Sequence, residues 1–293
     1  MSIKNALLLG LFDGVHKGHI ATIEALKASG AENKIVFTFC SLAVDTKGQR
    51  KLLTTDREKE RLLLANGADK VVFEDFSALR NLTPEEFVKE ILIKKYSAEL
   101  LICGEDFRFG KNASGNAETL KALAAQYGIA CRVVPTFTVD QKPVSTTEIR
   151  NCLLSGEIER ANKLLGYNYS FSGEVVHGKA LGRKLGIRTL NVLPPPEKLI
   201  PQNGVYSSYT IINGEKFKSI TNIGINPTVS ESGKISLETH IIDFNEEIYG
   251  NTVCIILNKY YREERKFESI SELTQTISQD IEKRREEAEL FGL

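Results

Sequence analysis

The chain has 293 residues, which is long enough for two domains. Of these, 42% are hydrophobic and 26% are charged, a composition typical of soluble globular proteins. Lys and Arg number 38, as do Asp and Glu, so the charge balance favours neither nucleic acid nor a membrane as partner. Five scattered cysteines without a Cys-x-x-Cys pair argue against a zinc ribbon and predict reduced thiols in a cytoplasmic protein.

The first half of the sequence alternates strand-like and helix-like segments. The predicted strands are 6–12, 34–39, 70–73, 100–103 and 130–134. The predicted helices are 19–29, 56–65, 84–96 and 119–127. Strands separated by helices predict a parallel sheet with helices on its faces, that is, a Rossmann-like α/β domain.

Beyond residue 166 the strand-like runs lie close together, with turns between them. They are 174–177, 204–212, 217–225, 236–243 and 252–261. Five or six short strands without intervening helices predict a small antiparallel β-barrel. The charged segment 268–290 has Leu and Ile at helical spacing, which predicts a terminal helix. We therefore predict one domain at 1–165 and a second at 166–293.

The stretch LLLGLFDGVHKGHI, residues 7–20, places His16 and His19 after an apolar strand. A helix that begins there offers backbone N–H groups and a positive dipole end to a phosphate. Gly14 and Gly18 let the backbone approach a ligand closely. Two imidazoles at this point can donate hydrogen bonds to a triphosphate, although local capping or packing is the simpler alternative.

The segment VSTTEIRNCL, residues 144–153, predicts a second helix start. Ser145 with Glu148 three residues later forms a capping box, which is a structural signal by itself. The hydroxyls of Ser145, Thr146 and Thr147 also lie at a helix N-terminus, and Arg150 follows within about one turn. A guanidinium in this position can hold a phosphate through two hydrogen bonds.

A third glycine-rich segment, GEDFRFGKNASG, follows the predicted strand 100–103. Ligands of open α/β sheets bind at such carboxyl ends, so Asp106 and Phe107 are candidate binding residues. Phe107 and Phe109 can face a flat aromatic ring, or one of them can lie in the core.

The second half contains GKALGRKLGIRTLN, residues 178–191, where Thr189 and Asn191 follow a basic loop. Residues two apart in an extended segment face one side, and a hydroxyl with an amide oxygen suits Mg²⁺ with bound phosphates. The loop can surround phosphates through its N–H groups, or it can be a solvated turn. Its candidate binding residues are Gly178, Lys179, Gly182, Arg183 and Gly186.

The run ISLETHIIDF, residues 235–244, alternates as a strand. Leu237, Thr239 and Ile241 share one face, while Glu238 and His240 share the other. A carboxylate in mid-strand is a candidate general base for a hydroxyl nucleophile. A solvent-facing glutamate on an ordinary sheet explains the same pattern equally well.

The order of these motifs resembles the prokaryotic bifunctional riboflavin kinase/FMN adenylyltransferase (FAD synthetase) family over nearly the whole chain. The matching motifs are HxGH, DFRFG and STTEIR in the first half, and GxVVHGxxxGRxLG, NGVY, NIGxxPT, LETHxxDF and REExKF in the second. The resemblance implies phosphorylation of riboflavin to FMN by the second domain. It also implies adenylylation of FMN to FAD by the first domain, each step using ATP and Mg²⁺.

The resemblance also implies roles for single residues. His16, His19, Arg150 and the 145–147 backbone would hold the ATP phosphates, with the 106–110 loop near the flavin. In the second domain, Thr189 and Asn191 would bind Mg²⁺-ATP and Glu238 would take the proton of the ribityl 5′-hydroxyl. Arg262, in the late basic motif, would lie near the flavin.

The chain departs from the family pattern in two places. Ser41, Leu42 and Ala43 stand where the family usually has Pro-His-Pro, so one ligand-contacting histidine is missing. Loss of one charge-stabilising donor costs about 10²–10³ in rate, which predicts a slow, altered or lost adenylyltransferase. The kinase loop reads Ile187-Arg188-Thr189-Leu190-Asn191 where the family has Phe-Pro-Thr-Ala-Asn, so a φ-fixing proline is replaced by a charged residue.

Three functions therefore stay open from the sequence. The first is a bifunctional enzyme with riboflavin, FMN and ATP as its small-molecule substrates. The second keeps one activity, and the kinase is the more secure because it retains all its chemical groups. The third is a flavin-binding regulatory protein without turnover.

Overall fold

The computed structural model describes residues 3–41, 51–177, 187–226 and 234–288. Two compact units divide the chain, Met1–Thr146 and Thr147–Leu293. Within the described part, no helix is long and apolar enough to cross a membrane. All five cysteines are free thiols.

The first unit contains a five-stranded parallel sheet. Its strands are β1 (Asn5–Leu9), β2 (Asn33–Phe39), β3 (Lys70–Glu74), β4 (Leu100–Gly104) and β5 (Ala130–Val134). The strand order is β3-β2-β1-β4-β5, and every pair is parallel. Because the chain continues from β1 to β2 on one side and later adds β4 on the other, β1 lies at the switch point where α/β sheets open a crevice.

The helices of this unit lie between the strands in sequence. They are Lys17–Lys27, Asp56–Ala65, Phe76–Leu79, Pro84–Glu86 leading into the π-helix Phe87–Lys95, and Ala117–Gln126. Successive β1 residues enter two different apolar clusters: Ala6 and Leu8 pack with Ile23 of the first helix, whereas Leu7 packs with Leu120 of the last. A strand buried on both faces is expected in a parallel sheet, and the α/β prediction is confirmed.

The element ends differ from the predicted ones for local reasons. β1 ends at Leu9 because the chain turns into a loop in which Phe12 has a positive φ of 53°. The first helix begins at Lys17 because the His16 side chain caps it. The segment 84–96, predicted as one helix, is a short α-turn followed by a π-helix.

The second unit contains a closed six-stranded antiparallel barrel, as predicted. Its strands are β6 (Ser170–Val176), β7 (Leu190–Leu193), β8 (Gly204–Ile212), β9 (Glu215–Asn226), β10 (Lys234–Ile241) and β11 (Thr252–Arg262). The order around the barrel is β6-β7-β10-β9-β8-β11, and β11 pairs with β6 to close it. β7 was not among the predicted strands, since four residues are too few to show a period.

A row of hydroxyl groups crosses the barrel interior. Neighbouring oxygens in the row lie 2.8–3.0 Å apart. Because a hydroxyl both donates and accepts, the row satisfies its own hydrogen bonds without water. Its members are Ser208, Thr210, Ser219, Thr221 and Thr239, all of them fully buried.

The terminal helix Ile270–Glu286 confirms the prediction of a helix at the end of the second domain. Its Arg284 is fully buried, and it donates to the Ser208 carbonyl oxygen from Nε at 3.2 Å and from Nη2 at 3.0 Å. The guanidinium also lies 4.3 Å from the centre of the Tyr209 ring. These contacts hold the helix against the barrel wall.

Two helices, Thr146–Leu154 and Ile158–Leu165, precede the barrel in the sequence. The second packs within its own unit, where the Asn162 amide donates to the Leu257 carbonyl oxygen at 3.0 Å. The compact units divide at Thr146/Thr147, and the domain boundary at residue 165 stays a prediction.

Candidate active sites

The loop between β1 and the helix Lys17–Lys27 contains the predicted histidine motif at the carboxyl edge of the sheet. Phe12, Gly14 and Val15 have φ angles of 53°, 85° and 36°. Glycine adopts such left-handed angles freely, but a β-branched valine rarely does. Backbone of this kind is retained only where surrounding contacts hold it, and it occurs often at functional sites.

Asp13 provides those contacts. Its Oδ1 accepts hydrogen bonds from the backbone N–H groups of Leu53 (2.9 Å) and Thr54 (3.2 Å). Thr54 Oγ1 in turn accepts from Gly14 N at 3.0 Å. The Thr146 hydroxyl, predicted from the sequence to line the phosphate site, donates to the Asp13 carbonyl oxygen at 3.2 Å.

The two imidazoles form a stacked pair. Their ring centres are 3.6 Å apart and their planes differ by 14°, and Phe12 meets the His19 ring edge-on at 5.2 Å. His16 Nδ1 accepts from His19 N at 3.4 Å and so caps the helix. A Cβ on Gly18 would lie 3.1 Å from the His16 ring, so glycine leaves room for the stack.

Both histidines are neutral at pH 7. Burial lowers the pKa of His16 to about 4, although the charges of Asp106 and Asp13 raise it. Burial lowers the pKa of His19 well below its ordinary value, and the positive charge of Lys59 lowers it further, as does His16 when it is protonated. Because Nδ1 of His16 accepts a hydrogen bond, a neutral His16 carries its proton on Nε2 and presents an N–H donor.

His19 leaves one polar atom unexplained. Its Nδ1 is buried and has no hydrogen-bond partner among the described residues. Buried nitrogen atoms are nearly always paired, so this atom at the start of a helix is a candidate contact for a phosphate.

A buried lysine lies at the carboxyl end of β2. Lys59 is 1% exposed, and its ammonium donates to Ser41 Oγ at 2.6 Å and to the Phe39 carbonyl oxygen at 3.4 Å. Asp56 Oδ1 lies 3.3 Å away and accepts from Ser41 Oγ at 2.5 Å. Burial lowers the Lys59 pKa, while Asp56 raises it. Residues 42 and 43, where the other departures from the family motif lie, are outside the described residues.

The two phenylalanines that follow β4 differ in how deeply they are buried. Phe109 is buried in the core, whereas Phe107 is half-buried and stacks on it at 5.5 Å between ring centres. The expectation that one of them is a core residue is confirmed. Asp106 lies at the same edge of the sheet, since its charge acts on His16.

The helix of the STTEIR motif begins at Thr146, directly after Ser145. Thr147 and Arg150 belong to the second compact unit. Their part in holding phosphates stays a prediction.

The second candidate site lies on the outer face of the barrel. Asn191 of β7 and Asn222 of β9 are both directly opposite Glu238 of β10. Directly opposite residues of antiparallel strands share a face, so the three side chains form one row. Leu237 and Thr239 point into the barrel and are 1% and 0% exposed. Thr189 lies two residues before Asn191, just outside β7, and lines a small pocket with Arg188, Leu190 and Ile241.

Arg188 fixes the segment that precedes β7. Its Nη2 lies 2.7 Å from Glu247 Oε1, and its Nη1 donates to the Asn245 carbonyl oxygen. The Arg188 carbonyl oxygen is 2.7 Å from His240 Nδ1. The unexpected charge in the kinase loop is therefore paired at the surface with the segment between β10 and β11, next to the backbone of Thr189.

Two further predictions concern Arg262 and the phosphate loop, and the structure describes only the first of these. Arg262 donates to Asp280 Oδ2 of the terminal helix from Nη2 at 2.8 Å and from Nε at 3.1 Å, so it is anchored beside that helix. The predicted phosphate loop, with Gly178, Lys179, Gly182, Arg183 and Gly186, lies outside the described residues.

The side-chain oxygens on this face of the barrel provide only some of the ligands that a hard cation such as Mg²⁺ needs. A threonine hydroxyl and an asparagine amide are two neutral oxygens, and Mg²⁺ usually takes its remaining ligands from water and substrate phosphates. Among the residues described, no group of three or more His, Cys, Asp or Glu side chains is placed to hold a metal ion. The site thus suits a cation that arrives with a nucleotide.

Sequence reasoning missed several residues that the structure brings to these sites. They are Asp13, Lys59, Asn222 and His240. Lys59 lies within the charged run DREKER and reads as a surface residue of a helix. Asn222 belongs to the NIGxxPT motif, but only the strand order places it beside Glu238.

Two family models match the chain, one in each half. The model described as FAD synthetase matches residues 2–148, and the model described as riboflavin kinase matches residues 165–288. The described residues of both candidate sites fall within the matched regions except Arg150, which lies between them.

Three relatives illustrate the similarity, all described as bifunctional riboflavin kinase/FMN adenylyltransferase. The protein of Buchnera aphidicola is 36% identical over 95% of this chain and 92% of its own length. The protein of Escherichia coli K12 is 34% identical over 98% of this chain and 93% of its own length. The protein of Bacillus subtilis is 33% identical over 94% of this chain and 90% of its own length.

A solved structure shares the fold. It is described as a macrolide-efflux protein from Streptococcus pneumoniae and is 30% identical, with a TM-score of 0.88 over 98% of this chain and 96% of that one. The activity named for it differs from the activities named for the family models and the three relatives.

Proposed function

The chain belongs to the bifunctional riboflavin kinase/FMN adenylyltransferase family, and from this premise we propose which of its residues perform each reaction. The second unit phosphorylates riboflavin to FMN. The first unit joins FMN to the AMP part of ATP and so makes FAD. The position of Asn191 directly opposite Glu238 is the observation that carries the proposal, because a flavin-binding regulator needs neither a base nor metal ligands.

In the kinase reaction, Glu238 accepts the proton of the ribityl 5′-hydroxyl. The freed oxygen forms a bond to the γ-phosphorus of ATP, the bond between that phosphorus and the β,γ-bridging oxygen breaks, and ADP leaves. Glu238 lies in mid-strand on a closed barrel, so its backbone is fixed by hydrogen bonds on both sides. Such fixed placement reduces the entropy that the reaction must lose.

Thr189 and Asn191 would hold a Mg²⁺ ion that arrives with the nucleotide. When bound, the cation would neutralise charge on the phosphate oxygens. Asn191 lies directly opposite Glu238, so its amide oxygen is on the same face as that carboxylate.

In the adenylyltransferase reaction, a phosphate oxygen of FMN forms a bond to the α-phosphorus of ATP. The bond between that phosphorus and the α,β-bridging oxygen breaks, and pyrophosphate leaves. His16 and His19 act as neutral N–H donors to the phosphate oxygens, since burial keeps both uncharged. Asp106 and Phe107 lie on the flavin side of the site, and Ser145 and Thr146 on the triphosphate side.

Lys59 supplies positive charge to the same reaction. Its ammonium is held at the carboxyl end of β2 by Ser41 and Asp56, and its charge acts on His19. A charge in a site from which water is excluded acts more strongly than one at the surface. Lys59 thus compensates for the histidine that the family motif leads one to expect near Ser41.

Separation of the two activities tests the proposal. Purified protein is incubated with ATP and Mg²⁺ and either riboflavin or FMN, and the flavins are separated by chromatography. Glu238→Gln is expected to lose FMN formation and to keep FAD formation from added FMN. His19→Ala is expected to lose FAD formation by about 10²-fold and to keep FMN formation.

Unmodified protein is the control in both assays. Flavin binding without any product would show a regulatory protein instead. Equal loss of both activities in either variant would mean that the sites are not separate.

A further inference from the structure

The outer face of the barrel contains a third polar residue with an unexplained atom. Asn222 lies on β9, directly opposite Glu238 and on the other side of it from Asn191. Its Oδ1 is buried and accepts no hydrogen bond from any described residue. A buried acceptor without a donor costs free energy, so this atom calls for a partner that the chain itself does not provide.

The orientation of the Asn222 amide is fixed by a carboxylate. Nδ2 donates to Glu264 Oε1 at 3.2 Å. Because an ionised carboxylate only accepts hydrogen bonds, the nitrogen must face Glu264 and the oxygen must be the unpaired atom. Gly224, two residues further along β9, leaves space for this arrangement, since a Cβ there would lie 2.6 Å from Glu264 Oε1.

The position of Asn222 selects the kind of ligand. Adjacent strands are about 4.8 Å apart, so Asn191 and Asn222 are separated by about 10 Å with Glu238 between them. The proposed metal and ATP phosphates lie on the Asn191 side. Asn222 therefore lies on the side from which the hydroxyl substrate reaches Glu238.

We propose that Asn222 is a specificity residue of the kinase, whose Oδ1 accepts a hydrogen bond from the 4′-hydroxyl of the ribityl chain. The proposal rests on the kinase function proposed above. The 4′-hydroxyl is on the carbon next to the reacting 5′-position, and Asn222 is the residue next to Glu238 across the strands. Glu264 is a positioning residue that turns the amide oxygen toward the substrate.

The test compares riboflavin with 4′-deoxyriboflavin as kinase substrates of the full chain. Unmodified protein is expected to prefer riboflavin in kcat/KM by about 10-fold or more, since a site built to bind a hydroxyl discriminates against its absence. Asn222→Ala is expected to lower kcat/KM for riboflavin about 10-fold and to leave that for 4′-deoxyriboflavin within about twofold. The KM for ATP should not change.

Asn258→Ala is the matched control. Asn258 is a buried asparagine of the same barrel, and its amide also donates to a glutamate, Glu287, at 3.4 Å. It should keep the preference of the unmodified protein. Glu264→Gln should lose part of the preference, because a glutamine can also donate to Oδ1 and release the amide from its fixed orientation.

Three outcomes decide the matter, with thermal unfolding confirming that the variants fold. Selective loss for riboflavin supports the proposal. Equal loss for both flavins, or a raised KM for ATP, overturns it. If unmodified protein makes no FMN at all, the kinase function itself fails, and this result is distinct from a failure of Asn222 alone.

Discussion

The residues of the two proposed sites differ in burial and in the charge of their neighbours. The proposed adenylyltransferase site buries His16 and Lys59 and half-buries His19, so its N–H donors lie in a region of low dielectric. The kinase site places Glu238 on an outer face between two neutral amides. The first arrangement suits stabilisation of charge on phosphates, and the second suits removal of a proton.

The stability of the first unit should depend on the protonation of His16. Its pKa is about 4 in the folded chain and near 6.5 when unfolded, so the unfolded chain binds more protons between these values. Stability is therefore complete above pH 6.5 and falls as the pH drops toward 4. We expect a loss of about 2–3 kcal/mol between pH 6.5 and 4.5, measured by urea unfolding with circular dichroism.

His16→Gln provides the comparison, since glutamine does not titrate and still offers an oxygen to the helix N-terminus. The acid-induced loss should be smaller in this variant by the same amount. An unchanged loss would contradict a neutral, buried His16.

Removal of the Lys59 charge should affect one activity only. Lys59→Met keeps the length of the side chain but not its charge, and we expect FAD formation to fall about 10²-fold while FMN formation is kept. Lys34→Met is the matched control, because Lys34 also pairs with an aspartate, Asp69 at 2.8 Å, but lies partly exposed at the amino end of β2, away from the proposed site. A folded Lys59→Met variant with normal FAD formation would show that Lys59 is structural.

Among the elements, the short strand β7 and the segment before it are the most dependent on side-chain contacts. β7 has only four residues, and the preceding backbone is held by Arg188 and His240. The family pattern has a proline in this segment, which would fix φ. In this chain Arg188 contacts Glu247 and the Asn245 carbonyl oxygen instead.

Two explanations of the role of Arg188 predict opposite changes in the KM for ATP when its ion-pair partner, Glu247, is substituted. If Arg188 positions Thr189, then Arg188→Ala and Glu247→Gln should both raise the KM for ATP in the kinase reaction, by about 3- to 10-fold for the former. If Arg188 itself binds phosphate, Glu247→Gln should free it and lower that KM. We expect the first result.

Arg285→Ala is the control, since Arg285 makes a comparable exposed ion pair with Asp243 at 2.8 Å. Exposed pairs of this kind contribute less than about 1 kcal/mol to stability, so thermal unfolding should change little in all three variants. A general loss of stability in Arg188→Ala alone would contradict a local effect on ATP binding.

The elements were predictable where the pattern was long. The helix Asp56–Ala65 and the strand Gly204–Ile212 begin and end where the sequence predicts. The position of Asn222 beside Glu238 was not predictable, because it depends on the strand order. The burial of Lys59 was not predictable either, because it depends on contacts with Phe39 and Ser41, 20 and 18 residues earlier in the sequence. Periodicity states which face a residue occupies but not which strand lies beside it.

The whole molecule combines two units, and the described groups proposed for each reaction lie mostly within one of them. Asp13, His16, His19, Lys59 and Asp106 belong to the first unit, and Thr189, Asn191, Asn222 and Glu238 to the second. Thr147 and Arg150, whose roles are predictions from the sequence, belong to the second unit. FMN is the product of one proposed site and the substrate of the other.

A mixing experiment tests this account most directly. Glu238→Gln and His19→Ala are each incubated with riboflavin, ATP and Mg²⁺, first alone and then in one tube. Alone, the first variant should form no product and the second should stop at FMN. Together they should form FAD, because FMN made by one protein can be used by the other. A mixture that makes no FAD, although each variant folds and binds flavin, would contradict two separate and complete sites.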